Sequence, residues 1–358
     1  MLYKITVSDA TKDGDIVKFT VQSKLMNDEE SLENDTGKIV FRQYEDFVYL
    51  LHLLTTKNNV AGVVVPPLPN KPVIIPETVE SKLNLKTTVL ADGYSHDCKR
   101  LEKFIQDIAN HKVFKDDENL KKFLTDDEAV ARVAIKRGVM NSLANLVDTA
   151  RFQAHKDIDE DFQKKRDNVN ALLLHVKQCN YMKDKMISSE KALGVHISNL
   201  AMVLRNSATY DIQGSKIVVR FIGQFADVLD ELVLKGQKTR LITEETAGFS
   251  LELYSRYLSS CQSALFQRTC KLVELENATK ALEKAKPKNR EQLLSAKEEA
   301  SIAFDRISEV TKAEVELFNE NRVKHFKESL SLLAQKHQEN HRETCELLLS
   351  AINELKNL

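Results

Sequence analysis

Val63-Val64-Val65-Pro66-Pro67-Leu68-Pro69-Asn70-Lys71-Pro72 cannot be helix. Each proline lacks a backbone N–H and its ring clashes with the preceding turn, so the stretch reads as an extended loop with polyproline character. Five of the six prolines of this 358-residue chain fall between Pro66 and Pro76. The sixth, Pro287, is the only proline from Phe249 to Leu358, a span without any glycine. Proline ends helices and glycine weakens them. This punctuation divides the chain into a small N-terminal module built around a proline loop and a long helical C-terminal module broken at one point.

Upstream of the loop, Leu2-Tyr3-Lys4-Ile5-Thr6-Val7 alternates apolar and polar residues, the period of a half-buried strand. Asp13-Gly14-Asp15 signals a turn, Ile16–Leu25 resumes β-type composition, and the acidic stretch Asn27–Lys38 reads as a loop before a third strand through Tyr44. A three-stranded antiparallel meander follows. Tyr44–Thr55 then switches to helical spacing, with Phe47, Leu50, Leu51 and Leu54 on one side. Downstream, a helix is expected from about His96 to His111, and a short one carrying Leu120, Phe123 and Leu124.

Three long helices are expected beyond. The first runs to about Leu204 and is broken by Asn206–Gly214; the second spans about Ser215–Lys284; the third starts near Asn289, hinged at Pro287. Helices of roughly 65–70 residues would reach about 100 Å, which suits antiparallel hairpins and coiled coils. The apolar stripe of the last one, through Phe304, Ile307, Val315, Phe318, Phe326 and Leu330, is broadened by Leu317, Val323, Leu332 and Leu347–Leu349. So wide a stripe needs two neighbours, hence a three-helix bundle that also dimerises.

Net charge is −1 with 29% charged residues, so no global field marks a nucleic-acid binder. The five cysteines are odd in number, widely spaced and free of CxxC pairs, which reads as reduced thiols in a cytosolic protein. No signal peptide or spanning apolar run is expected, so any membrane contact is peripheral. Phosphate-binding glycine loops, HExxH and GxSxG are missing, and an enzyme is not expected. His337 and His341 have metal-ligand spacing on a helix, but Gln338 stands where a glutamate would help. They read as two exposed histidines; no metal and no cofactor are expected.

The order strand-strand-strand-helix, proline loop, helices is the layout of a PX domain. Arg42-Gln43-Tyr44-Glu45-Asp46-Phe47 resembles that family's Arg-Arg-Tyr/Phe-x-Asp-Phe segment, and Pro66-Pro67-Leu68-Pro69-Asn70-Lys71 resembles its Pro-Pro-x-Pro-x-Lys loop. The resemblance implies a phosphoinositide pocket at Arg42, Gln43, Tyr44 and Lys71. Gln43, however, stands where the family's second basic residue grips the 3-phosphate, and a neutral amide forms no charge-assisted pair. Asp97 and Cys98 occupy the place of a further family arginine. The pocket is therefore expected to be degenerate.

Arg-Gln together with Ala61-Gly62-Val63-Val64-Val65-Pro66-Pro67 resembles the sorting nexin 5/6/32 subgroup. That resemblance implies capture of cargo receptor tails by strand addition, with Leu90, Tyr94, Cys98 and Glu102 at the contact positions. A structural reading stays open beside it: Tyr94 as a core aromatic and the proline loop as scaffold, or the loop as an SH3 ligand.

The segments Gln267-Arg268-Thr269-Cys270-Lys271 and Asn321-Arg322-Val323-Lys324-His325-Phe326 resemble the BAR domain of sorting nexins. The implied division is PX domain 1–126, linker 127–150 and BAR domain 151–358. In the linker, Arg132, Lys136 and Arg137 line the polar side of a candidate amphipathic helix, which reads equally as a connector. Lys280, Lys284, Lys286, Lys288 and Arg290 would crowd the tip of a BAR arm, against anionic headgroups or simply in solvent. The resemblance implies a sorting nexin of the 1/2 type as dimer partner, early endosomal membranes and tubules as location, and contact with dynactin. The rival reading is a direct phosphoinositide binder with an altered pocket.

Overall fold

The computed structural model of the chain describes residues 2–13, 16–26, 37–72, 94–129, 155–210 and 215–356. Strands β1 (Leu2–Asp13), β2 (Ile16–Met26) and β3 (Lys38–Gln43) form an antiparallel sheet in the order β1-β2-β3, the expected meander. β1 runs beyond its expected end at Val7 because a bulge between Val7 and Ala10 resets the register. Val7 then pairs with Val21 and Ala10 with Phe19, so both face the core.

On the sheet's inner face pack helices α1 (Tyr44–Lys57), α2 (Ser95–Asn110) and α3 (Glu118–Thr125). Phe47 is the centre of this core: its ring lies 4.9 Å from that of Phe123, 6.4 Å from Phe104 and 6.5 Å from Phe19. The proline stretch 63–72 has no regular secondary structure, as its composition requires.

The long helices are α4 (Glu160–Tyr210), α5 (Lys216–Thr243), α6 (Phe249–Glu283) and α7 (Arg290–Lys356). Two boundaries differ from the sequence reading. α4 continues through Asn206 to Tyr210 because Ser207 and Thr209 donate their hydroxyls back to the carbonyls of Leu204 and Asn206. The expected single helix over 215–284 is interrupted by a π-helical turn, Glu244–Gly248. Thr243 and Thr246 back-bond to the carbonyls of Thr239 and Ile242, and a Cβ at Gly248 would meet the Thr243 carbonyl oxygen at 3.0 Å. The wide turn therefore needs glycine there. A 3₁₀ turn at Pro287–Asn289 leads into α7.

Contacts divide the chain into two units, one of residues 1–167 with 259–315, the other of residues 168–258 with 316–358. In the first, the sheet module is seated on parts of α6 and α7. The Gly62 N–H donates to Gln267 Oε1 at 3.0 Å, and the Val64 N–H to Glu314 Oε2 at 3.3 Å. Glu314, only 3% exposed, also meets His111 Nε2 at 3.1 Å and Lys112 Nζ at 3.1 Å. Burial pushes the Glu314 carboxyl up, but hydrogen bonds and charge from His111 and Lys112 outweigh it and hold it below its ordinary 4.5. The start of α4 is fixed in the same unit by Arg268. Its guanidinium pairs with buried Asp157, donates from Nε to Ser308 Oγ at 2.9 Å, and lies 3.5 Å from the Phe162 ring centre and 4.7 Å from that of Phe304.

In the second unit, Tyr254 stacks on Phe326 at 4.8 Å and its hydroxyl lies 2.7 Å from His325 Nδ1. Asn340, buried, donates to the Lys235 carbonyl and to Thr239 Oγ1. His337 is half-buried rather than exposed, with Nε2 3.1 Å from Thr243 Oγ1. Among the described residues no cluster of three or more metal-ligating side chains occurs.

Gly62 has φ +77°, and a Cβ there would lie 2.6 Å from Thr311 Oγ1 and 2.9 Å from Ile307 Cγ1. Gly62→Ala should cost about 2–4 kcal/mol, combining left-handed strain and overpacking. Gly223→Ala, in α5 with nothing within 4 Å of the new methyl, should instead stabilise by about 1 kcal/mol. Urea midpoints of the two variants check both signs.

A second expectation concerns pH. Because the folded Glu314 pKa lies below its ordinary 4.5, its contribution is complete above that value and is lost as pH falls through the folded pKa. The stability gap between wild type and Glu314→Gln should therefore close as pH falls below 4.5.

Candidate membrane and peptide interface

The pocket residues expected to meet a phosphate are occupied within the fold. Arg42 points inward from β3 and is 1% exposed. Its Nε donates to the Phe123 carbonyl at 3.0 Å, and its terminal nitrogens donate to the carbonyls of Phe41, Lys122, Asp126 and Asp127. The guanidinium thus closes the C-terminus of α3, where a cation suits the helix dipole, and lies 5.3 Å from the Phe123 ring centre. Burial pulls its pKa down, against the opposing pull of Asp46, Asp126 and Asp127.

Gln43, at the position where the resemblance implies a phosphate grip, is the N-cap of α1. Its N–H donates to Asp46 Oδ2 at 2.7 Å, and its side chain accepts from the Asp46 N–H, a capping box. Tyr44 donates its hydroxyl to the Pro69 carbonyl at 2.7 Å. Lys71, on the exposed end of the loop, pairs with Glu45 at 2.5 Å. Asp97, at the place of the second family arginine, is bonded to Arg100 at 3.2 Å.

Of the positions implied for cargo contact, Tyr94 and Cys98 belong to the buried core, at 6% and 4% exposure. Burial first, then Asp97, Asp9 and Glu102, push the Cys98 thiol up to about 12. Glu102 accepts from the Val7 N–H at 2.9 Å, and Gln106 donates to the Ile5 carbonyl at 2.8 Å. Two α2 side chains therefore hold the outer edge of β1. Leu90 lies outside the described residues, as do Arg132, Lys136 and Arg137 of the candidate amphipathic helix.

The tip residues Lys280, Lys284, Lys286, Lys288 and Arg290 gather in sequence at the α6–α7 connection, where all five are exposed. Lys280 approaches Glu276 at 3.8 Å. No described helix is long and apolar enough to cross a membrane.

The sequence reading missed the seat itself: Gly62, His111, Gln267 and Glu314. Gln267-Arg268 was noticed only as a likeness. The signal that could have exposed its role is Ala61-Gly62, a turn dipeptide directly ahead of a stiff apolar run.

The PX-domain family profile matches residues 30–127. Sorting nexin-6 of Homo sapiens is 26% identical over 382 residues, covering 98% of this chain and 91% of that protein. Sorting nexin-32 of Mus musculus is 24% identical over 365 residues, covering 93% and 87%. Sorting nexin-1 of Mus musculus is 23% identical over 312 residues, covering 80% and 59%. A solved structure described as the SNX-BAR Mvp1 tetramer aligns over 98% of this chain and 99% of its own at 16% identity and TM-score 0.45. The chain thus carries a match to the PX-domain profile over residues 30–127, with long helices after it. It is homologous along its whole length to sorting nexins 6 and 32.

Arg42 is expected to be a fold residue. Arg42→Met should lower stability by about 3 kcal/mol, the scale for losing charge-assisted bonds that leave buried carbonyls unpaired. Urea unfolding followed by circular dichroism measures it; a loss within about 0.5 kcal/mol, the range of ordinary surface changes, would contradict the assignment.

Proposed function

We propose that this chain is an endosomal sorting nexin of the SNX-BAR kind, whose PX domain captures cargo tails instead of phosphatidylinositol 3-phosphate and whose helices shape membrane tubules as a dimer. Its domains on this reading are PX 1–126, linker 127–150 and BAR 151–358. The observation that carries the reading is the engagement of Arg42 and Gln43 inside the fold, with Asp97 where a cation would read the inositol ring. Whole-chain homology to sorting nexins 6 and 32 supports the class, an adaptor rather than an enzyme.

The partners follow from what the single chain leaves uncovered. Ile217, Val218, Phe221 and Phe225 on α5, with Leu349 and Ile352 on α7, are exposed apolar side chains. Their burial by a second helical module would supply the hydrophobic drive for dimerisation. A sorting nexin of the 1/2 type is the proposed partner and would provide the phosphoinositide grip missing here. A cargo strand added beside β1 would exchange with Glu102 and Gln106 for the Val7 N–H and Ile5 carbonyl. The tip cations would meet the anionic endosomal surface, each contributing about 1 kcal/mol.

Charge reversal of Lys284, Lys286, Lys288 and Arg290 to glutamate should weaken sedimentation with phosphatidylserine vesicles and suppress tubule formation. The dimer mass measured by light scattering with a 1/2-type partner should stay the same. Loss of the dimer in that variant, or unaltered vesicle binding, would show the tip assignment to be mistaken.

A further inference from the structure

We propose that the proline loop is a stiff strap coupling the first turn of α1 to the seat on the helical module. This coupling is separate from the trafficking role and does not depend on which cargo or partner the chain binds. The strap's two ends are fastened to different elements. At the inner end, Gly62 donates to Gln267 and Val64 to Glu314, side chains of α6 and α7. At the outer end, the Pro69 carbonyl accepts from Tyr44, and Lys71 pairs with Glu45, both from the first turn of α1.

Between the fastenings lie Pro66 and Pro67, and Pro69 itself carries the outer one. Proline fixes φ, and a polyproline segment is extended and holds its direction over several residues. A glycine-rich loop of that length would absorb displacement at one end by local rotation. This one cannot. Val64, Pro66 and Pro69 are also buried, so side-chain packing adds to the stiffness of the backbone.

Lys71 is the more exposed partner of its pair, and an exposed ion pair is held weakly. Loss of that pair together with the Tyr44 hydrogen bond frees the outer end. The freed outer end then shifts the strap, and the change reaches the Val64 N–H on buried Glu314. Linkage makes the effect reciprocal: loosening Glu314 weakens the hold of Lys71 on Glu45.

Amide hydrogen exchange in the full chain tests this without any ligand. Lys71→Ala, a surface change that leaves the core intact, combined with Tyr44→Phe should raise the exchange rates of Gly62 and Val64 by about fivefold, the scale of one lost hydrogen bond. Amides of Leu101 and Ile105 in the α2 core should not change. In a Pro67→Gly background the same two substitutions should leave Gly62 and Val64 unaffected, because the softened strap no longer transmits. Unchanged exchange at Gly62 and Val64 in the proline-containing chain would overturn the proposal, and so would equal increases in both backgrounds. Should the double variant unfold, Lys71→Ala alone is measured in the same two backgrounds, and the same two results would overturn the strap.

Discussion

A buried carboxylate, Glu314 of α7, holds the sheet module to the helices. It accepts the Val64 N–H from the proline loop and bonds His111 and Lys112 from the turn after α2. A charge this deeply buried is tolerable only when its partners are all present, so the seat is strongly directional. Gly62 must approach Thr311 more closely than any side chain permits, Gln267 must face the loop, and Arg268 must fix the entry of α4 through Asp157. The geometry of the proline loop is a consequence of that seat as much as of its prolines.

The same economy explains the pocket. A PX domain that grips phosphate must leave cations unsatisfied by protein until the ligand comes. Here Arg42 is given to five backbone carbonyls, four of them around the end of α3, and Gln43 to the first turn of α1. Of the pocket cations Lys71 alone keeps an exposed charge, and it has Glu45. On the proposed reading these side chains serve fold stability, and recognition would fall to other surfaces: the β1–α2 edge, the helical tip and the apolar faces of α5 and α7.

The layout was legible in the sequence because periodicity and proline placement are local signals. The meander, α1 with Phe47, Leu50 and Leu54 inward, and the long helices all followed from spacing. The capping box was nearly legible too, since Asp46 stands three residues after Gln43. The inward turn of Arg42 was not, because its acceptors lie some 80 residues along the chain. Nor was Glu314 distinguishable from the other glutamates of a charged helix; its burial is decided by residues as far as 250 positions away. The π-helical turn at Glu244–Gly248 escaped for a different reason. Its threonines and glycine read as ordinary helix residues until Lys183 and His337 are packed against them.

The central claim is that the PX pocket no longer grips a 3-phosphate because its cations are engaged in the fold. Calorimetric titration of the full chain with the soluble headgroup of phosphatidylinositol 3-phosphate, at physiological salt, tests it most directly. No saturable heat is expected up to millimolar headgroup. Stoichiometric low-micromolar binding that disappears in Lys71→Ala would contradict it.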